Sequence, residues 1–211
     1  MSGGATRVRR LSIRDFRNLA PVTLDLPAEG VVLIGDNGQG KTSFLEAVYY
    51  LQILRSARGA HDAEVVRFGA EGFHLAAAVD GSPRAHEVGV GYERAGRQKR
   101  VRLDGAIIGR LGDAVGALPA VMFAPSDMAL VAGGPAARRR FLDIALALTS
   151  RSYLVALQGY RAALVRRNRV LREHARHGAA RHTLEAQIAV WEPALAAHGA
   201  VLADERRTWV D

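Results

Sequence analysis

Residues 35–42 read Gly-Asp-Asn-Gly-Gln-Gly-Lys-Thr, which fits G-x-x-x-x-G-K-[ST], the spacing of a phosphate-cradling loop. The residue types dictate the chemistry. Gly35, Gly38 and Gly40 admit backbone angles closed to other residues and carry no Cβ. The loop, with Asp36, Asn37 and Gln39 among them, can therefore wrap a polyphosphate with its N–H groups turned inward. Lys41 is spaced to reach the terminal phosphates as a point charge, and Thr42 to set its hydroxyl on Mg²⁺. These two are the candidate catalytic residues, and Thr42 is the candidate metal ligand. Only Lys41 and Lys99 are lysines among 29 basic residues, so chance accounts for roughly one or two such matches per thousand chains of this composition.

A loop of this kind works between a strand and a helix. Residues 31–34 (VVLI) have the length and apolar character of a buried strand. Phe44, Leu45, Ala47, Val48, Leu51 and Leu54 then recur at helical spacing, and the helix adds its positive N-terminal end to the loop. Upstream, residues 8–16 and 23–26 read as two paired strands. Downstream, residues 73–79, 86–92 and 98–103 are strand-like runs separated by Asp80-Gly81-Ser82-Pro83 and Ala95-Gly96, with Asp104-Gly105 closing the last, which predicts an antiparallel meander. Residues 121–128 read as a short strand running into a loop. After Gly133-Gly134-Pro135 the chain predicts helices near 136–148, 151–176 and 183–209, with Gly178 ending the second and Pro193 kinking or interrupting the third. The expected fold is α/β, with a P-loop lobe over 1–135 and a helical lobe over 136–211.

The 211 residues are 49% hydrophobic, enough for a core, and contain no cysteine, so neither disulfides nor thiolate metal sites are available. No apolar run reaches membrane-spanning length and the N-terminus lacks the apolar core of a signal peptide, so the expected location is the cytoplasm, with no membrane partner. The seven histidines show no metal-ligand spacing, and Trp191 and Trp209 are expected in the core of the last helices. The net charge of +8 is concentrated: residues 136–182 hold eleven arginines against Asp143 and Glu173. On a helical projection of 151–176, Tyr153, Leu157, Tyr160, Leu164 and Leu171 fall within roughly 60° of arc, and Arg161, Arg169, Arg172 and Arg176 within roughly 80° on an adjoining face. Such a face is either a solvated helix surface or a track for a phosphate backbone. Arg138, Arg139 and Arg140 open a helix, where cations oppose the dipole, and join Arg161, Arg169 and Arg172 as DNA-binding candidates.

Several segments in order along nearly the whole chain, LSIRDFRNL (11–19), GDNGQGKTSFLEAVYYL (35–51), LRSAR (54–58) and FAPSDMALVAGGPAARRRFLD (123–143), resemble the N-terminal portion of the RecF family. These are bacterial DNA replication and repair proteins with an SMC/ABC-type ATPase head. The resemblance implies an ATP- and Mg²⁺-binding head with an antiparallel subdomain, followed by a helical lobe. It further implies ATP-dependent homodimerisation on DNA near single/double-strand junctions, RecR-type mediator partners, and roles in recombinational gap repair and the SOS response. It implies that Arg17 and Asn18 line the adenine or ribose side of the site, a surface turn being the other reading. Arg58 faces phosphate or DNA, or sits in a surface loop.

The ABC signature motif and the apolar strand ending in paired acids, which ABC heads need for turnover, do not follow residue 143. The chain thus reads as a fragment that lacks the C-terminal half of the head, and the family's weak DNA-dependent ATPase activity is left open for it. No Q-loop glutamine is evident near 121–128, where Ser126 or Asp127 is the substitute facing Mg²⁺. A second reading makes the chain an independent P-loop GTPase or small-molecule kinase, with Asp80, after four apolar residues, holding Mg²⁺; against it, Asp80-Gly81 fits a hairpin turn. A third is a DNA-binding module with a vestigial P-loop.

Overall fold

Alternation between core and solvent organises the first 110 residues. Strand β1 (Arg7–Arg14) buries Leu11 and Ile13 while Ser12 and Arg14 face the other way. β3 (Gly72–Asp80) likewise buries Phe73, Leu75, Ala77 and Val79, the period of a half-covered strand. With β2 (Val22–Asp25), β4 (Glu87–Glu93), β5 (Gln98–Leu103) and β6 (Ala106–Ile107) they form one sheet in the order β2-β1-β3-β4-β5-β6, antiparallel at every pair. The meander is as expected. The β5–β6 turn sets Asp104 and Gly105 both at positive φ, 48° and 81°, the geometry Asp-Gly supplies most readily. The computed structural model describes residues 6–81, 86–177 and 181–210, so Ser82 and Pro83 of the expected β3–β4 turn lie outside the described residues.

Helix α1 (Lys41–Ile53) packs Ala47, Tyr50 and Leu51 onto the buried face of the sheet. Phe16, Tyr50 and Phe73 meet edge to face there, with ring centroids 5.3 to 5.7 Å apart. The Tyr50 hydroxyl bonds to Asp62, whose carboxylate also takes Lys99 Nζ at 2.6 Å. Lys99 donates to Leu54 O at 2.8 Å as well, and lies 5.3 Å from the centre of the Tyr50 ring. A short helix α2 (Leu111–Ala114) and Leu118 complete this core.

Two expected strands do not form. Residues 31–34 have no ladder, with Val32 and Ile34 exposed at 83% and 91%. Residues 121–124 are irregular, with Val121 and Phe123 exposed, and Pro125–Met128 is a 3₁₀ turn. A strand exists only through its neighbour, and among the described residues neither segment joins any of the five ladders.

The chain divides into two compact units, Met1–Ala124 and Pro125–Asp211. The second is helical: α3 (Ala129–Ala132), α4 (Pro135–Thr149), α5 (Arg151–His177), α6 (Arg181–Ala189) and α7 (Glu192–Val210). Gly178, expected to end α5, lies outside the described residues. The last expected helix is two, broken at Val190–Trp191. Pro193 falls in the first turn of α7, where its missing N–H costs no intrahelical bond. The tryptophans are not core residues: Trp209 is half exposed and meets Phe141 edge to face, and Trp191 lies under the Arg166 guanidinium.

The core of this unit is Leu146, Tyr153, Ala156, Leu157 and Leu202, crossed by a polar tie. The buried Asp143 carboxylate takes the Tyr153 hydroxyl at 2.6 Å, Arg206 at 2.6 Å and Arg161 at 2.9 Å, joining α4, α5 and α7. Burial, reinforced by the bond to Asp143, pushes the Tyr153 hydroxyl up to about 12 from its ordinary 10. The unfolded chain releases this proton first, so the Tyr153 contribution is whole below about pH 10 and falls as pH rises towards about 12. We expect urea denaturation to show the chain losing stability across that window more steeply than Tyr153→Phe does. Parallel pH profiles would contradict the tie.

Candidate functional site

Three glycines carry the chain from residue 35 to α1 at positive φ: Gly35 at 149°, Gly38 at 85° and Gly40 at 100°. The loop is exposed, and a Cβ at Gly35 or Gly38 would meet no atom within 4 Å. A Cβ at Gly40 would stand 2.6 Å from Leu19 Cδ2 and 3.3 Å from Asn18 Oδ1, so a side chain there would displace the tip of Leu19 and would strain the backbone besides. Gly40 is the N-cap of α1. No side chain caps that end, and no acid stands in its first turn. The first N–H groups of a helix have no intrahelical partners, and here they carry the positive end of the dipole to the loop.

Lys41 and Thr42 are the first two residues of α1. Lys41 Nζ donates to Gly35 O at 2.6 Å and Asp36 O at 2.8 Å, lying back across the loop. Thr42 is exposed, and Gln39 N–H points to Asp36 O at 3.4 Å. The donor set, an ammonium group, uncapped helix N–H groups and a hydroxyl, suits a polyphosphate and its Mg²⁺ ion. Asp36, Asn37, Gly38, Gln39 and Gly40 thus lie in one loop with Lys41 and Thr42.

The turn 15–19 buttresses this loop. Phe16 is fully buried, Arg17 sits at φ 57°, and Arg17 N–H donates to Val65 O at 2.6 Å. The Arg17 guanidinium grips Glu46 through Nη2 at 2.9 Å and Nε at 3.1 Å. Glu46 is 1% exposed and also accepts from Ser56 Oγ at 2.6 Å, while Arg58 Nε stands 3.9 Å away. Asn18 Nδ2 donates to Gly38 O at 2.7 Å, and Ser43 Oγ donates to Asn18 Oδ1 at 2.8 Å. Sequence reasoning singled out Arg17, Asn18 and Arg58 but missed Glu46. The signal was there: a carboxylate inside the apolar stripe of α1.

The other candidates are dispersed. Asp80 takes Arg7 at 3.1 Å and Arg9 at 3.6 Å across β1 and β3. Ser126 and Asp127 are in the exposed 3₁₀ turn of the helical unit. Arg138 donates to Leu130 O and Gly133 O, tying the chain ahead of α4, and Arg139 is exposed beside Arg140. Arg161 belongs to the Asp143 tie, Arg169 pairs with Glu173 at 2.8 Å, and Arg172 donates to Asn168 O. The apolar and cationic faces of α5 separate much as their spacing predicts: Tyr153 and Leu157 are buried and Tyr160 and Leu164 half-buried, while Arg169, Arg172 and Arg176 are exposed. Among the described residues, no cluster of three or more His, Asp or Glu could hold a metal, and no helix is long and apolar enough to cross a membrane.

No family model matches the chain. It is 42% identical over 204 residues to the DNA replication and repair protein RecF of Acidothermus cellulolyticus, covering 95% of this chain and 53% of the relative. It is 34% identical over 197 residues to that of Chlamydia trachomatis serovar L2, covering 93% and 51%. A solved structure described as the recombination mediator protein RecF-ATP in the RecFOR pathway superimposes with a TM-score of 0.82 at 28% identity, over 97% of this chain and 54% of that one. The chain spans about half the length of the curated relatives it matches. In sequence and in fold, this chain is similar to the N-terminal portion of the RecF proteins.

Proposed function

We propose that the chain is the phosphate-cradling part of an ATP-binding protein of DNA replication and repair. The observation that carries this reading is the junction at Gly40. Three glycines at positive φ deliver the backbone to an uncapped helix start, with the Lys41 ammonium folded over the loop. Gly35 to Gly40 would enclose the phosphates with their N–H groups, Lys41 would replace its two carbonyl partners by phosphate oxygens, and Thr42 would hold Mg²⁺. The solved relative is described as bound to ATP, which supports the nucleotide. Hydrolysis in an ABC-type head is expected to draw on a signature motif and paired acids as well as on this loop. Asp80, engaged by Arg7 and Arg9, supports the hairpin reading over a Mg²⁺ role. Titration with ATP–Mg²⁺ by calorimetry tests the nucleotide reading: no heat from a folded chain would overturn it.

The same proposal gives the arginines of α4 and α5 to the DNA backbone, with ATP-dependent dimerisation, RecR-type mediators, gap repair and the SOS response in the cytoplasm as its wider setting. The relatives' name and the exposed cationic face of α5 support it. Each phosphate neutralised adds about 0.9 to the slope of log K against log salt. Replacing Arg139, Arg169 and Arg172 by Gln is therefore expected to flatten the slope for duplex DNA by about 2 to 3. An unchanged slope would leave these side chains as a solvated face.

A further inference from the structure

We propose that Asn18 is a positioning residue for the phosphate loop, acting on the loop backbone itself rather than on a base or sugar. The proposal rests on the nucleotide reading above. Its carboxamide uses both ends: Nδ2 holds Gly38 O at 2.7 Å, and Oδ1 accepts from Ser43 Oγ at 2.8 Å. One side chain thereby spans the middle of the loop and the first turn of α1. In a planar trans peptide, C=O and N–H point in opposite directions. Anchoring the Gly38 carbonyl therefore aims the Gln39 N–H to the opposite side, where Asp36 O lies at 3.4 Å. The anchor does not drift, because its neighbours are fixed on independent elements. Phe16 is buried, Arg17 N–H is bonded to Val65 O, the Arg17 guanidinium is clasped by Glu46, and Leu19 Cδ2 closes against Gly40.

Without this brace, three glycines in sequence reach give the loop wide backbone freedom, which ordering around a polyphosphate must remove. Asn18 removes part of it beforehand. It is itself exposed and contributes little to the core, so its loss is expected to change the loop and not the fold.

The test uses the whole chain, Lys41→Ala and Asn18→Ala, each titrated with ATP–Mg²⁺ and with inorganic tripolyphosphate–Mg²⁺. Amide resonances of the ligand-free proteins are recorded alongside. Asn18→Ala is expected to weaken both ligands by the same factor, about tenfold for the lost hydrogen bonds. It should also shift the Gln39 and Gly40 amide resonances while those of β3 to β5 stay in place. Weakening of ATP alone would mean contact with the nucleoside and overturn the proposal. Unchanged affinity for both ligands, or shifts spread through the sheet, would also overturn it. If the wild-type chain bound neither ligand, the nucleotide reading would fall, while the Gln39 and Gly40 resonances would still decide whether Asn18 holds the loop.

Discussion

Lys41→Ala is expected to weaken ATP–Mg²⁺ binding by at least ~100-fold and leave the melting temperature of the ligand-free chain unchanged. Charge-assisted hydrogen bonds contribute about 1.5–3 kcal/mol each, and two of them to phosphate oxygens give about 3 kcal/mol or more. Some of this is offset, because the ammonium must first release Gly35 O and Asp36 O. Those carbonyls belong to an exposed loop and pass to water when the side chain is removed, so the fold loses little. Alanine also suits the start of a helix better than most residues. Calorimetry on both proteins, with a melting curve for each, checks the pair of expectations. Affinity retained within a few-fold would take the ammonium out of the phosphate site. A large fall in melting temperature would make it a structural residue.

Arg17→Ala acts on the fold instead, and should destabilise the chain by about 2–3 kcal/mol in urea denaturation. Removing one partner of a buried ion pair typically costs ~3–5 kcal/mol, because the remaining charge is stranded away from water. Glu46 is nearly inaccessible, but Ser56 still donates to it and Arg58 is close enough to turn inward, which lowers the expected cost. Two further variants separate the causes. Arg17→Gly removes the same pair but relaxes a backbone held at φ 57°, and should recover about 1 kcal/mol relative to alanine. Joint replacement of Arg17 and Glu46 by Met removes both charges and should be milder than Arg17→Ala. A cost below about 1 kcal/mol for Arg17→Ala would mean that Glu46 is satisfied without it.

What the sequence disclosed, and what it withheld, follows the range of the interactions involved. The glycine loop, the Asp-Gly turn at 104–105 and the alternation of β3 to β5 are local, and each is written in adjacent residues. The separated faces of α5 needed only the helical period. Residues 31–34 and 121–124 mislead because apolar composition states a preference for burial without supplying the neighbour. The interruption that Pro193 announces falls at Val190–Trp191, and the proline itself takes a place in the first turn of α7, where a helix tolerates it. The contacts that organise the site are between residues 20 to 40 positions apart: Asn18 with Gly38, Arg17 with Glu46 and Ser56. Asp143 with Arg206 spans more still. Glu46 and Asp143 each present a single carboxylate in an otherwise apolar helical stripe, a cue that marks a buried partner without naming it.

The scarcity of lysine gives the chain a built-in chemical reporter. Its two lysines have contrasting settings: Lys99 is 13% exposed, clasped by Asp62 and Leu54 O and shielded by the Tyr50 ring, whereas Lys41, half-buried at the start of α1, lays its ammonium over the exposed loop. With no cysteine to compete, an amine-directed acylating reagent at mild pH meets one accessible side-chain amine besides the α-amine. Acylation at Lys41, read by peptide mass, would thus register occupancy of the loop on the unaltered protein, protection rising as the site fills.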